Sequence, residues 1–275
     1  MKKRISTLLC LLVLAMTGIQ AKDYNVKDFG AIGNGKVLDH QAINTAIDSC
    51  VAHGGGRVVL PAGTYLCGSI RMKSHVELHL MAGSKILAAP ASMKAYDEAE
   101  FFEGTAYQDG GHTYFKNSLI YAIGANDVSI TGRGMIDGEG LTRKDTEKAG
   151  NLQGGNIGTG DKAIALKQCR NILIRDVTIY RGGHFGIIVT GCELGTIDNV
   201  VIDTNRDGLD IDCCKYLTIS NCKINTPHDD ALVLKSSYAL KKPVFTEHIA
   251  ITNCVITGYK FGTLLDGTYI PEKVN

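Results

Sequence analysis

The chain has 275 residues, a net charge of +1, 44% apolar residues, 32 glycines, 5 prolines and no tryptophan. The apolar share is enough for a packed core, in one large domain or two small ones, and solenoids of this length often form a single unit. The near-neutral charge balance gives no reason to expect nucleic acid or an anionic membrane surface as a partner.

In chain order, Met1–Ala21 reads as a secretory signal peptide. Lys2, Lys3 and Arg4 form the positive end, Leu8–Met16 the apolar middle and Ile19-Gln20-Ala21 the cleavage site. The apolar run is too short to span a bilayer. A mature domain over residues 22–275, periplasmic or secreted, is expected. Export permits disulfides, but the remaining cysteines sit in strand-like runs without zinc-ligand spacing, so buried free thiols are expected. Cys213 and Cys214 are neighbours on a strand and point to opposite faces, so they are not expected to bond each other.

Ile43, Ala46, Ile47, Cys50 and Val51 follow the spacing of an amphipathic helix, and Gly54-Gly55-Gly56 stops it. A helix ahead of many strands suits the cap of a solenoid. Short strands follow from Arg57 and again from Val76. The looser stretch Met93–Lys116 carries Tyr96, Phe101, Phe102, Tyr107, Tyr114 and Phe115. These are expected to pin it to the body, with stacking on sugar rings as the alternative. Gly132–Gly160 is glycine-rich and polar, and a second surface excursion is expected there.

From Cys169 a repeat is plain. The rows CRNILIRDVTI (169–179), CELGTIDNVVI (192–202), CKYLTISNCKI (214–224) and TEHIAITNCVI (246–256) start 23, 22 and 32 residues apart. Ile174, Ile197, Ile219 and Ile251 share a column, and Asp176, Asn199, Asn221 and Asn253 another. Such rows mean stacked coils, with an insertion before the last. The Asn column marks a bend where side-chain amides can bond along the stack. An all-β, right-handed, single-stranded parallel β-helix with an N-terminal capping helix is expected.

This register has a chemical consequence. GHFGIIV (183–189) lies over NRDGLDI (205–211), which lies over HDDALVL (228–234). Phe185, Asp207 and Asp230 then share one column, and His184, Arg206 and Asp229 the next. Neighbouring coils are about 4.8 Å apart, so Asp207, Asp229 and Asp230 should meet. Crowded carboxylates push their proton affinities apart, the condition for acid and base to coexist. Glycosidic hydrolysis and calcium binding are the chemistries such a group performs.

At these residues the chain resembles the polygalacturonase-like glycoside hydrolases that cleave pectin (glycoside hydrolase family 28). Its first coils, DFGAIGNG, GGGRVVLPAGTYL and VELHLMAGSKIL, are similar to those of the family. Asn205-Arg206-Asp207-Gly208 resembles the family's Asn-Thr-Asp-Gly motif, and Asp229–Asp230 its Asp pair. The resemblance implies a pectin-lyase-like solenoid that hydrolyses α-1,4-galacturonosyl linkages with inversion. Asp229 would donate the proton, and Asp207 and Asp230 would activate water. Asn205 would bond at the site, with Arg206, His184, His228 and Lys235 as further candidates for substrate contact.

No metal or cofactor is expected for this reaction. The expected partner is an acidic plant polysaccharide, acted on by a monomer. Arg206 stands in place of the family's Thr, and its Gly-His-Gly and Arg-Ile-Lys segments have no counterpart before the chain stops at GTLLDGTYIPEKVN. Missing C-terminal coils and weak turnover of polygalacturonate are therefore expected. A calcium-dependent pectate lyase, with Arg206 as its base, and a non-catalytic pectin-binding solenoid are the alternatives.

Overall fold

A computed structural model of the protein describes residues 22–103, 110–142 and 157–258. The expected leader, Tyr107, residues 143–156 of the Gly132–Gly160 excursion and the C-terminal stretch after residue 258 lie outside the described residues.

The short apolar runs form strands that add coil upon coil into a right-handed parallel β-helix. The first sheet stacks eight strands, from Asp23–Asn25 to Glu247–Thr252. The second stacks eight, from Asn34–Leu38 to Val255–Gly258, and the third stacks six, from Ile70–Arg71 to Leu232–Lys235. The repeat sets the register residue by residue. Arg170 pairs with Glu193, Glu193 with Lys215 and Lys215 with Glu247. The 32-residue step is an insertion, residues 236–246, between the third and first sheets.

Ile174, Ile197 and Ile219 stack without solvent contact inside the coil. Ile251, on the last described coil, is 42% exposed. Asp176, Asn199, Asn221 and Asn253 occupy the bend with φ between 52° and 67°, a left-handed region that Asn and Asp tolerate better than other side chains. The amides bond up the stack. Asn199 Nδ2 donates to Asp176 Oδ1 at 2.8 Å, and Asn253 Nδ2 to Asn221 Oδ1 at 2.6 Å. Asn221 instead reaches Asp198 Oδ1 at 2.7 Å, so the ladder includes the residue before the column.

All described cysteines are free thiols, including the vicinal Cys213 and Cys214. Cys169, Cys192 and Cys214 face inward and donate to carbonyl oxygens of earlier coils. The helix His40–Ala52 closes the N-terminal end, burying Ile43, Ala46, Ile47 and Cys50. Val51 lies at the edge of that stripe and remains 38% exposed.

The stretch after Met93 lies against the third sheet. Phe115 packs on Ala165, Phe185 and Ile188 of the sheet's outer face, and Tyr96, Phe102 and Tyr114 are also buried. Phe101 projects into solvent. A covered outer face is unusual for a β-helix coil, whose apolar residues otherwise point inward. Here it puts acidic residues of the third sheet out of contact with water.

Candidate active site

Three coils of the third sheet build the site. Phe185 pairs with Asp207, and the pairing of Leu209 with Leu232 carries the register to Asp230. The backbone confirms that placement, since Gly208 N donates to Asp230 O at 2.9 Å. A Cβ on Gly208 would stand 2.5 Å from Ala231 O, so only glycine lets these coils approach so closely. Asp229 caps its own turn, with Oδ1 accepting from Asp230 N at 3.0 Å. One carboxylate oxygen from each of Asp207, Asp229 and Asp230 lies within 4.8 Å of the other two.

Arg206 reaches into this group. Its Nε donates to Asp229 Oδ2 at 2.9 Å and stands 3.9 Å from Asp207 Oδ2. Its Nη1 lies 2.7 Å from His184 Nε2. Arginine can only donate, so His184 accepts this bond. The His184 ring is fully buried and stacked on Phe185 at 4.4 Å.

Two neighbouring acids end with opposite proton affinities. Burial, then the charges of Asp210 and Asp229, pushes Asp207 up to about 8 against the pull of Arg206 and Lys235. Burial also disfavours the charged form of Asp229, but the bond and charge of Arg206 outweigh it and hold Asp229 below the usual carboxylate range. The group therefore carries its proton on Asp207 at neutral pH. The resemblance implied Asp229 as proton donor; in this structure Arg206 stands directly on that carboxylate.

Asp210 and Asp212 lie further along the same strand, both fully buried beneath the cover. Lys235 Nζ donates to Asp210 Oδ2 at 2.8 Å and stands 3.3 Å from His112 Nε2. Ser237 holds Asp212 through its backbone N and its Oγ, at 2.8 and 2.6 Å. Burial pushes Asp210 up to about 7 even with Lys235 beside it.

The structure thus brings Asp207, Asp229, Asp230 and Arg206 together. Asp230 and Asn205 are exposed, and His228 is half-buried on the turn before Asp229. Two expected substrate contacts need correction. His184 has no exposed surface and meets Arg206. Lys235 is tied to Asp210 by a buried carboxylate's need for a counter-charge. His112 was not among the candidates; its glycine- and aromatic-rich surroundings, Gly110–Phe115, were the available sign of a packed segment.

Residues 24–260 match the family described as rhamnogalacturonase A/epimerase, pectate lyase-like. The chain is similar to the plasmin and fibronectin-binding protein A of Streptococcus pneumoniae, 32% identical over 184 residues, covering 66% of this chain and 23% of that protein. It is 26% identical over 265 residues to an exo-poly-alpha-D-galacturonosidase of Dickeya chrysanthemi, covering 79% of this chain and 42% of that one. Among solved structures, the hyperthermoactive exopolygalacturonase of Thermotoga maritima is similar with a TM-score of 0.71 at 26% identity, covering 87% of this chain and 61% of that one. The chain spans less than half the length of these two curated relatives.

Proposed function

The chain belongs to the rhamnogalacturonase A/epimerase, pectate lyase-like family, and on that premise we propose that it is a polygalacturonase-type hydrolase of α-1,4-galacturonosyl linkages in pectin. The observation that carries this reading is the group Asp207, Asp229 and Asp230, three acids within 4.8 Å with divided proton affinities. Asp229, 31% exposed at its side chain, is the member placed to protonate a leaving sugar oxygen. Asp207 and Asp230 hold the attacking water between them. Two hydrogen bonds of about 2.7–2.8 Å to one water span at most roughly 5.5 Å, so their spacing suits a shared water. In an inverting enzyme the acid and the base are ordinarily roughly 6.5–9.5 Å apart. Asp229 therefore has to turn away from the pair as the sugar enters.

A calcium-dependent lyase is disfavoured by charge. The Arg206 guanidinium already stands 2.9 Å from Asp229 and 3.9 Å from Asp207, where a divalent cation would need those oxygens. The similarity to a plasmin and fibronectin-binding protein supports a second reading, a solenoid that binds its partner without turnover. The leader pattern of Met1–Ala21 supports action outside the cytoplasm.

Product identity separates these readings. The protein incubated with polygalacturonate is expected to release saturated reducing ends, with no ultraviolet-absorbing unsaturated product and no loss on adding a chelator. Unsaturated, chelator-sensitive product would make it a lyase. Retention on pectin without any product would make it a binding solenoid.

A further inference from the structure

We propose that Arg206 is the receptor for the substrate's uronate carboxylate, and that in taking this new partner it releases Asp229 to act as the acid. The inference rests on the hydrolase reading and adds the feature that selects an acidic sugar.

The geometry motivates it. Arg206 keeps 17% of its side chain exposed, and among the described residues its fork holds both Asp229 and His184. Nη1 is anchored on the buried His184, itself fixed against Phe185, while Nε holds Asp229. The outer partner is therefore the exchangeable one. Among the described residues the other cation near the group, Lys235, is occupied by the fully buried Asp210. A guanidinium pairs with carboxylates through two parallel bonds, so an incoming uronate offers what Asp229 offers through a single bond.

Charge balance requires the second half of the exchange. Among the described residues, the groups facing Arg206 and the acids are Asp207, Asp210, Asp229 and Asp230, with His184 and Lys235. A substrate anion adds one more negative charge. Once Asp229 loses the guanidinium it would remain a half-buried anion among anions, which costs free energy. Moving one proton relieves this. The O–H bond on Asp207 breaks and one on Asp229 forms, with the total number of protons unchanged. Asp229 is then the acid, while Asp207 and Asp230 are the charged pair that holds the water. An acidic sugar thereby readies the site.

The test compares wild type with Arg206→Gln on polygalacturonate and on its methyl ester. Wild type is expected to favour the free acid by about tenfold or more in kcat/KM, the scale of a charge-assisted bond pair. Arg206→Gln is expected to lose that preference. An equal fall on both substrates, or an unchanged preference, would overturn the proposal. Arg206→Lys keeps the charge without the fork, and a preference reduced in that variant supports the same conclusion if the Gln variant does not fold. Calorimetric binding of trigalacturonate separates this inference from the hydrolase reading. Affinity weakened about tenfold in Arg206→Gln supports the receptor role whether or not turnover occurs, and equal affinity overturns it.

Discussion

Asp207→Asn is expected to lower turnover of polygalacturonate by roughly 10²–10⁴-fold, the usual contribution of one positioned acid or base, and at the same time to make the protein more stable. The two effects share one cause. Asp207 is 2% exposed and crowded by Asp210 and Asp229, so its ionised form is costly in the folded chain. Its folded value is about 8, whereas the carboxyl of an unfolded chain titrates near 4. Between those values the folded state holds a proton that the unfolded state has released. Raising the pH then favours unfolding, and the stabilisation present below about pH 4 is lost as pH rises toward 8. Asparagine has no such proton.

Thermal unfolding of wild type and variant should therefore diverge with pH. The variant gains little at pH 4 and about 1–2 kcal/mol near pH 8, within the usual range of stabilising substitutions. Taking the difference between two chains removes common contributions, including the opposite trend from His40, which burial lowers. An unfolding difference that is flat with pH would mean that Asp207 is not held protonated.

Asp161→Ala is expected to cost about 3–5 kcal/mol, the penalty for stripping one partner from a buried ion pair. Lys162 has no exposed surface and Asp161 is 1% exposed, with Nζ 2.9 and 3.0 Å from the two carboxylate oxygens. Lys162 pairs with Phe185 along the third sheet, so it stands in the same column as Asp207 and Asp230. Its ammonium lies 3.8 Å from the centre of the Tyr114 ring in the cover. The pair therefore joins the sheet to the segment that keeps water from Phe115 and Phe185.

The double variant Asp161→Leu/Lys162→Met removes both charges and is expected to recover most of the loss. Denaturant midpoints of Asp161→Leu, Lys162→Met and the double complete the cycle. A double variant as unstable as Asp161→Ala alone would show that packing, and not charge, makes the pair important.

The coil register was legible because it repeats. Four rows with aligned Ile and Asn columns fix which residues lie above one another, and Asp207 over Phe185 follows from counting. The helix was legible from its apolar spacing, apart from Val51 at the margin. The ends of side chains were not. Register places His184, Arg206 and Asp229 together, but it does not say that Arg206 bonds to both neighbours, nor that this reverses which acid is protonated. Lys235 read as a candidate for substrate contact because nothing local shows that Asp210 beneath it is sealed off. The seal comes from His112, 123 residues away in an aperiodic stretch, where no column supplies a register. Repeats transmit long-range contacts to the reader of a sequence, and excursions from them do not.

The central claim is that Asp207 and Asp230 share the attacking water while Asp229 serves the opposite side of the bond. Proton NMR of the first new reducing ends formed from an α-linked oligogalacturonide tests it most directly. The account predicts that the β anomer appears first and the α anomer only later, by mutarotation. An α anomer formed first would mean that one of these carboxylates attacks the sugar itself, and the shared-water account would be wrong.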